Sequence, residues 1–342
     1  MKGKLLFGGL LGVLLLGLAF RSRGPVPVEW KAPQGWPAPQ YDFGKNPLSK
    51  EGIALGRKLF YDPLLSLDST ISCANCHLSY TAFTHVDHAR SHGLQDRVGL
   101  RNSPALMNLA YGRFFMWDGA VNHLDVQALA PLTHPDEMGE TLPNVLRKLN
   151  GRADYRRLFE RAYGDTAITG EHLLKALSQF MLTFVSADSR YDRVMRGLAG
   201  EHFTEQEARG LALFRQHCAS CHREPLFTDN GFAHNGLPLD TALRDYGRMR
   251  ITGRLEDSLL FKVPTLRNIE FSAPYMHDGR FKRLSQVLDH YAKGIRPSAT
   301  LAEQLRGGVP LSSEEKVDLT AFLLTLSDRA FLFNPDLAHP RD

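Results

Sequence analysis

The chain has 342 residues, enough for about two domains, and carries 41 basic against 37 acidic side chains. Four of the bases, Lys2, Lys4, Arg21 and Arg23, fall in the first 23 residues, which hold no acid; the remainder balances at 37 against 37. A neutral body lacks the basic surface that nucleic acid requires, so no nucleic-acid partner is expected and the charge excess belongs to targeting.

Leu5 to Phe20 is an apolar run behind two lysines, the layout of an export signal. As a helix it would span roughly 24 Å, short of the ~30 Å hydrocarbon core. Gly17-Leu18-Ala19 offers a cleavage point, so residues 1–23 read as an export signal or as an N-terminal membrane anchor through residues 5–20. Both readings place the body in the periplasm or on the outer face of the cytoplasmic membrane. Residues 24–47 follow with six prolines, a composition that favours an extended linker. Trp30 and Trp36 lie within it and receive no chemical assignment.

Beyond residue 47 the pattern is helical, with no convincing alternating strands. Leu173, Leu177, Phe180 and Phe184 mark one helix. Thr204-Glu205-Gln206-Glu207 is a capping box that opens a second, and Ser312-Ser313-Glu314-Glu315 opens a third, with Val317, Ala321 and Leu324 expected on its inner face.

Cys73-Ala74-Asn75-Cys76-His77 supplies two thiols three positions apart and an imidazole directly after them. This is the signature of covalent c-type haem attachment: the thiols add to the vinyl groups and the histidine binds iron from one face. Cys218-Ala219-Ser220-Cys221-His222 repeats it, and the two motifs use all four cysteines. A pair of zinc half-sites or a thioredoxin-like dithiol would not explain a histidine after both pairs. Ala54-Leu55-Gly56-Arg57-Lys58-Leu59-Phe60 before the first motif is echoed by Ala208-Arg209-Gly210-Leu211-Ala212-Leu213-Phe214 before the second. The expected fold is all-α, with two cytochrome c-like domains at 48–198 and 199–332. Each would hold one c-type haem among long loops.

Further segments carry a resemblance. Arg101-Asn102-Ser103-Pro104, Phe115-Met116-Trp117-Asp118-Gly119, Gln127-Ala128-Leu129-Ala130-Pro131 and Glu137-Met138-Gly139 follow the first motif. Phe261-Lys262-Val263-Pro264-Thr265-Leu266-Arg267-Asn268 and Ala273-Pro274-Tyr275-Met276-His277-Asp278-Gly279 follow the second. Over roughly residues 45–330 the chain resembles the bacterial dihaem cytochrome c peroxidases and their relative MauG. The resemblance implies peroxide reduction at the His77 haem, with Glu137 as acid–base group and Gln127 as its neighbouring amide donor. It also implies that Trp117 carries oxidising equivalents to the His222 haem. Read without that resemblance, Asp136-Glu137 is a solvated turn and Trp117 a core residue. Ala120 departs from the arginine usual after the Trp-Asp-Gly triplet.

Two residues compete as the second axial ligand of the His222 haem. Met276 offers a thioether, a common ligand in c-type cytochromes. The resemblance instead points fourteen residues past His277, to Tyr291, where peroxidases carry methionine and MauG-like members tyrosine. Leu284, Val287, Leu288 and Tyr291 share one helical face, and Tyr291 is the expected ligand. Among His85, His88 and His92, His92 is the candidate to cap the first iron, although an open first site is expected. Asn102, with oxygens near Ser272 and Pro274, resembles the family's calcium site. Electrons would come from a small redox protein or from residues of a protein substrate, in a monomer or homodimer. The alternative is a dihaem electron-transfer cytochrome without catalysis.

Overall fold

The computed structural model describes residues 24–340; the proposed signal or anchor at 1–23 lies outside them. Among the described residues no helix is long and apolar enough to cross a membrane.

Each expected capping box opens a helix. Thr204 and Glu207 cap Glu205–His217, and Ser312 and Glu315 cap Ser313–Leu324, with side chain and backbone satisfying each other in both cases. Gly170–Met181 forms where a helix is expected but ends short of Phe184; Leu173, Leu177, Phe180 and Phe184 are all buried. The inner face of Ser313–Leu324 differs from the expectation. Val317 and Leu324 are exposed, and Leu319, Phe322 and Leu323 are buried instead. Two apolar sets coexist on that helix, and the one containing the large aromatic ring faces inward.

The all-α expectation needs correction. Phe232–Ala233 pairs antiparallel with Phe261–Lys262. Isolated bridges join Phe115 to Val121 and Tyr275 to Phe281, and more of the described residues lie in loops and turns than in helix. Strands of two residues are too short to show a period-two pattern, so they left no signal in the sequence.

Residues 24–47 form little regular structure, yet they are tied to the body. Trp30 Nε1 donates to Leu182 O at 3.1 Å, and the Gln40 and Tyr41 amides both donate to Ala110 O.

Two clusters of buried residues result. The larger is built around Leu55, Leu59, Phe60, Phe83, Phe159, Phe180 and Phe184, and it takes in Phe331, Leu332 and Leu337 from the end of the chain. The smaller gathers Tyr191, Leu211, Phe214, Phe227, Leu319 and Phe322. The same device sits at the centre of each. Helix Lys50–Tyr61 crosses Gly170–Met181 where a Cβ on Gly56 would lie 1.9 Å from Ala176 O. Helix Glu205–His217 crosses Ser313–Leu324 where a Cβ on Gly210 would lie 2.0 Å from Asp318 O. The repeated glycines therefore let two helix backbones approach closely.

Candidate functional site

One cavity of about 730 Å³ reaches both cysteine motifs, within the ~300–1,000 Å³ range usual for cofactor sites. Its wall includes Cys73, Cys76, His77, Cys218, Cys221 and His222, and it is mostly apolar. Residues Cys73–Cys76 form a single helical turn, and Cys218 lies at the C-terminus of Glu205–His217. Each motif therefore hangs from a short helical frame.

The two histidines are prepared alike. His77 Nδ1 lies 2.6 Å from Phe83 O, and His222 Nδ1 lies 3.1 Å from both Phe227 O and Pro264 O. A carbonyl only accepts, so Nδ1 carries the proton and Nε2 keeps the lone pair that a metal needs. Burial lowers the His77 pKa to about 4 and lowers that of His222 too, keeping both rings neutral. Burial also pushes the Cys73 and Cys218 thiols up to about 12 and Cys76 to about 11. An uncharged thioether suits such buried positions. The donor set and the apolar wall fit covalently held haem.

Gln127, at the end of helix Leu124–Gln127, and Glu137, in the turn after Pro135, both line this cavity. Burial lifts the Glu137 carboxyl above the ordinary range, with Asp136 adding to the lift and His134 opposing it. The turn is held by Leu94, whose amide donates to Glu137 O at 2.8 Å. A Cβ on Gly93 would lie 2.2 Å from Asp136 O and 2.6 Å from Glu137 Cα. Gly93 thus sets the depth of the turn, a role that no motif announced.

His92 does not line the cavity. Its Nδ1 sits 2.5 Å from Asp96 Oδ1, and its ring lies 4.4 Å from that of His88.

Trp117 lines the cavity and is held by both halves of the chain. Its indole donates to Asn102 O at 2.8 Å, and its carbonyl accepts from the Lys262 amide at 2.7 Å. Arginine is absent at Ala120, yet Asp118 is paired: Arg101 donates to it at 2.6 Å and to Asp245 at 2.6 and 2.8 Å. Lys262 reaches the same wall. Burial draws its pKa down to about 8, with Asp229 opposing. Nothing in the sequence around Lys262 marked it as a buried cavity residue.

The region after each haem motif repeats at a fixed offset. Met116 and Met276 both have positive φ, 68° and 74°, inside matching bridged turns. Asn108 and Asn268 adopt the left-handed conformation at 55° and 56°. Gln127 donates to Met116 Sδ at 3.6 Å, and Asn235 to Met276 Sδ at 3.4 Å. Trp117 corresponds to His277 in this register, and Tyr291 corresponds to Pro131, a side chain with no donor atom.

Tyr291 follows helix Leu284–Asp289 in a π-turn, His290–Gly294. Leu284, Val287, Leu288 and Tyr291 all line the cavity, as does Met276. Burial raises the Tyr291 phenol to about 12, with the Asn235 amide pulling the other way. Asn102, Ser272 and Pro274 also touch the cavity wall, and the Asn102 amide donates to Ala89 O at 3.0 Å. No cluster of three His, Cys, Asp or Glu able to hold a metal occurs among the described residues.

Comparison with known proteins decides the family. Residues 50–200 match the model for the di-haem cytochrome c peroxidases. The methylamine utilization protein MauG of Methylorubrum extorquens is 37% identical over 311 residues, covering 87% of this chain and 83% of that protein. The chain belongs to the dihaem cytochrome c peroxidase and MauG family. Cytochrome c551 peroxidase of Nitrosomonas europaea is 32% identical over 247 residues, covering 71% of this chain and 73% of its own. Among solved structures, a MauG-like protein associated with microbial copper homeostasis superposes with a TM-score of 0.84 at 32% identity, covering 92% of this chain and 99% of that one. As a family member the chain is an oxidoreductase, a peroxidase built for two c-type haems.

Proposed function

We propose that the protein is an exported dihaem peroxidase of the MauG-like branch, which reduces hydrogen peroxide at the His77 site and draws electrons from a partner protein. The observation that carries this is the single cavity joining both Cys-x-x-Cys-His motifs, with Glu137 and Gln127 in its wall. Cys73 and Cys76 would hold one porphyrin and Cys218 and Cys221 the other, in domains spanning 48–198 and 199–332. Haem iron would supply the redox chemistry that splits the peroxide O–O bond.

The chain's own residues handle protons and charge. Glu137 takes a proton from one peroxide oxygen and delivers it to the departing one, a role served by a carboxyl with a raised pKa. The Gln127 amide orients the peroxide. Pro131, standing where the second half has Tyr291, leaves the first site open. Trp117, fixed by Asn102 and by the backbone of Lys262, carries oxidising equivalents between the two sites.

Tyr291 is the second-site ligand in this reading. Met116 holds the same bridged-turn geometry as Met276, so the turn itself accounts for where Met276 sits. An oxygen ligand stabilises oxidised iron and makes the site a poor acceptor from ordinary cytochromes. This favours a Trp or Tyr of a docked protein as the electron source over a small redox protein. Calcium beside Asn102, Ser272 and Pro274 belongs to the same proposal, as does a location outside the cytoplasmic membrane.

The test is the resting EPR spectrum of the purified holoprotein, followed by one equivalent of peroxide. The expected result is one high-spin and one low-spin ferric signal, both altered by peroxide. Two low-spin signals that ignore peroxide would establish an electron carrier instead.

A further inference from the structure

Two of the chain's three tryptophans, Trp30 and Trp36, lie in the proline-rich segment and take no part in the scheme above. Both are half-buried, and both meet one tyrosine. The Tyr111 ring lies 5.9 Å from that of Trp30 and 5.3 Å from that of Trp36. Tyr111 itself is buried and lines the cavity. An unbroken aromatic path therefore leads from the cavity wall to the surface, on a segment whose composition suggested only a spacer.

The three rings are not equivalent. Tyr111 Oη is buried without a hydrogen-bond partner. Oxidising a phenol is easy only when its proton has an acceptor, and no protein group supplies one to Tyr111, which suits that ring to passing a charge on. Trp36 lies under the Arg267 guanidinium, 4.5 Å from the ring centroid. That guanidinium, itself paired with Asp192 at 2.7 and 2.8 Å, favours the neutral indole. Trp30 has no cation over its ring among the described residues; it stacks on Phe43 at 4.9 Å, and its N–H is anchored on Leu182 O.

We propose that Tyr111 and Trp30 form an escape route by which oxidising equivalents leave the cavity when no electron donor is bound, with Trp30 as the terminal site. The proposal rests on the peroxidase reading above. Two one-electron oxidations of the Trp30 indole, with a water oxygen bonding to a ring carbon and two protons released, give hydroxytryptophan. The two electrons and two protons convert peroxide to water, so the sum is C–H + H2O2 → C–OH + H2O.

The experiment treats holoprotein with a few equivalents of hydrogen peroxide, with and without excess ferrocyanide, and maps oxygen addition by peptide mass spectrometry. Without ferrocyanide, Trp30 should gain one oxygen in preference to Trp36 by roughly threefold, the factor that ~0.7 kcal/mol of cation–π attraction provides. Ferrocyanide should protect Trp30. Tyr111→Phe, which keeps the ring, should preserve the modification, and Tyr111→Leu should lower it. Equal oxidation of both tryptophans, or oxidation that persists under ferrocyanide, would mean direct attack by peroxide and would overturn the route. So would peroxide consumption with Trp30 unmodified. Failure to consume peroxide at all would overturn the peroxidase reading and the route with it.

Discussion

Glu137 and Tyr291 carry the chemistry that separates this reading from a plain electron carrier, and each answers to a single substitution. Burial holds the Glu137 proton to higher pH than a free carboxyl would. Accepting the peroxide proton requires the ionised form, so the rate of peroxide reaction should rise with pH through a midpoint above the ordinary glutamate value of about 4.3. Glu137→Gln should remove that acidic limb and slow the reaction by about 10²–10⁴-fold, the usual worth of a positioned acid–base group. Stopped-flow mixing with peroxide across pH checks both, and an unchanged limb would take Glu137 out of the mechanism. At the second site, Tyr291→Phe should shift the low-spin EPR signal while Met276→Leu leaves it in place. The opposite pattern would reassign the ligand to the thioether. Gly93 adds a positioning test: a methyl group there collides with the backbone of Asp136 and Glu137. Gly93→Ala should therefore slow the peroxide step while leaving the second site's spectrum unaltered.

At the scale of elements, the two glycine crossings hold each half together. Alanine would gain about 1 kcal/mol of helix propensity over glycine. At Gly56 and Gly210, though, its Cβ would meet a partner backbone oxygen at 1.9 and 2.0 Å, and neither helix can yield locally. Overpacking of this kind costs about 1–3 kcal/mol, so the clash should outweigh the propensity gain. Gly56→Ala and Gly210→Ala should each lower the thermal midpoint of the holoprotein. Gly151→Ala serves as the control, because its nearest contact is an ordinary 3.4 Å. A rise in midpoint at Gly210 would mean that the crossing tolerates separation. These crossings were half legible in advance: the two Gly-containing heptapeptides stood out as an echo, but nothing in them said what the glycine faces. The reverse error arose at Val317 and Leu324, where a valid helical stripe lay on the exposed side. Periodicity ranks faces by hydrophobicity, and that helix presents two.

For the whole molecule, what could be read in advance was whatever short-range chemistry dictates: cysteine spacing, capping boxes and the heptapeptide echoed before each haem motif. What could not be read was contact across long separations. The two-residue strands, the docking of Trp30 and Trp36, and the arginine that replaces one missing at Ala120 all depend on residues far away in the chain. Arg101 shows the cost of such a contact. It ties Asp118 in the first half to Asp245 in the second, and both acids are nearly buried. Burial alone would raise the Asp245 pKa, but the Arg101 hydrogen bonds and charge hold it below the usual carboxylate range. A depressed carboxylate stabilises the fold above its unfolded pKa, and that contribution fades as pH falls through the folded value. Arg101→Met removes the guanidinium shared by two buried carboxylates and leaves Asp245 only the more distant Arg250 at 3.8 Å; breaking a buried pair from one side costs about 3–5 kcal/mol. With the cation gone, burial dominates and Asp245 protonates at higher pH. The variant's deficit should therefore be largest near pH 7 and shrink toward pH 5, where protonation relieves the unpaired charge. Thermal unfolding of both holoproteins at the two pH values measures this. A deficit independent of pH would show that Arg101 acts through packing over Phe261, where its guanidinium lies 5.7 Å from the ring, and that the ionic link between the halves is incidental to stability.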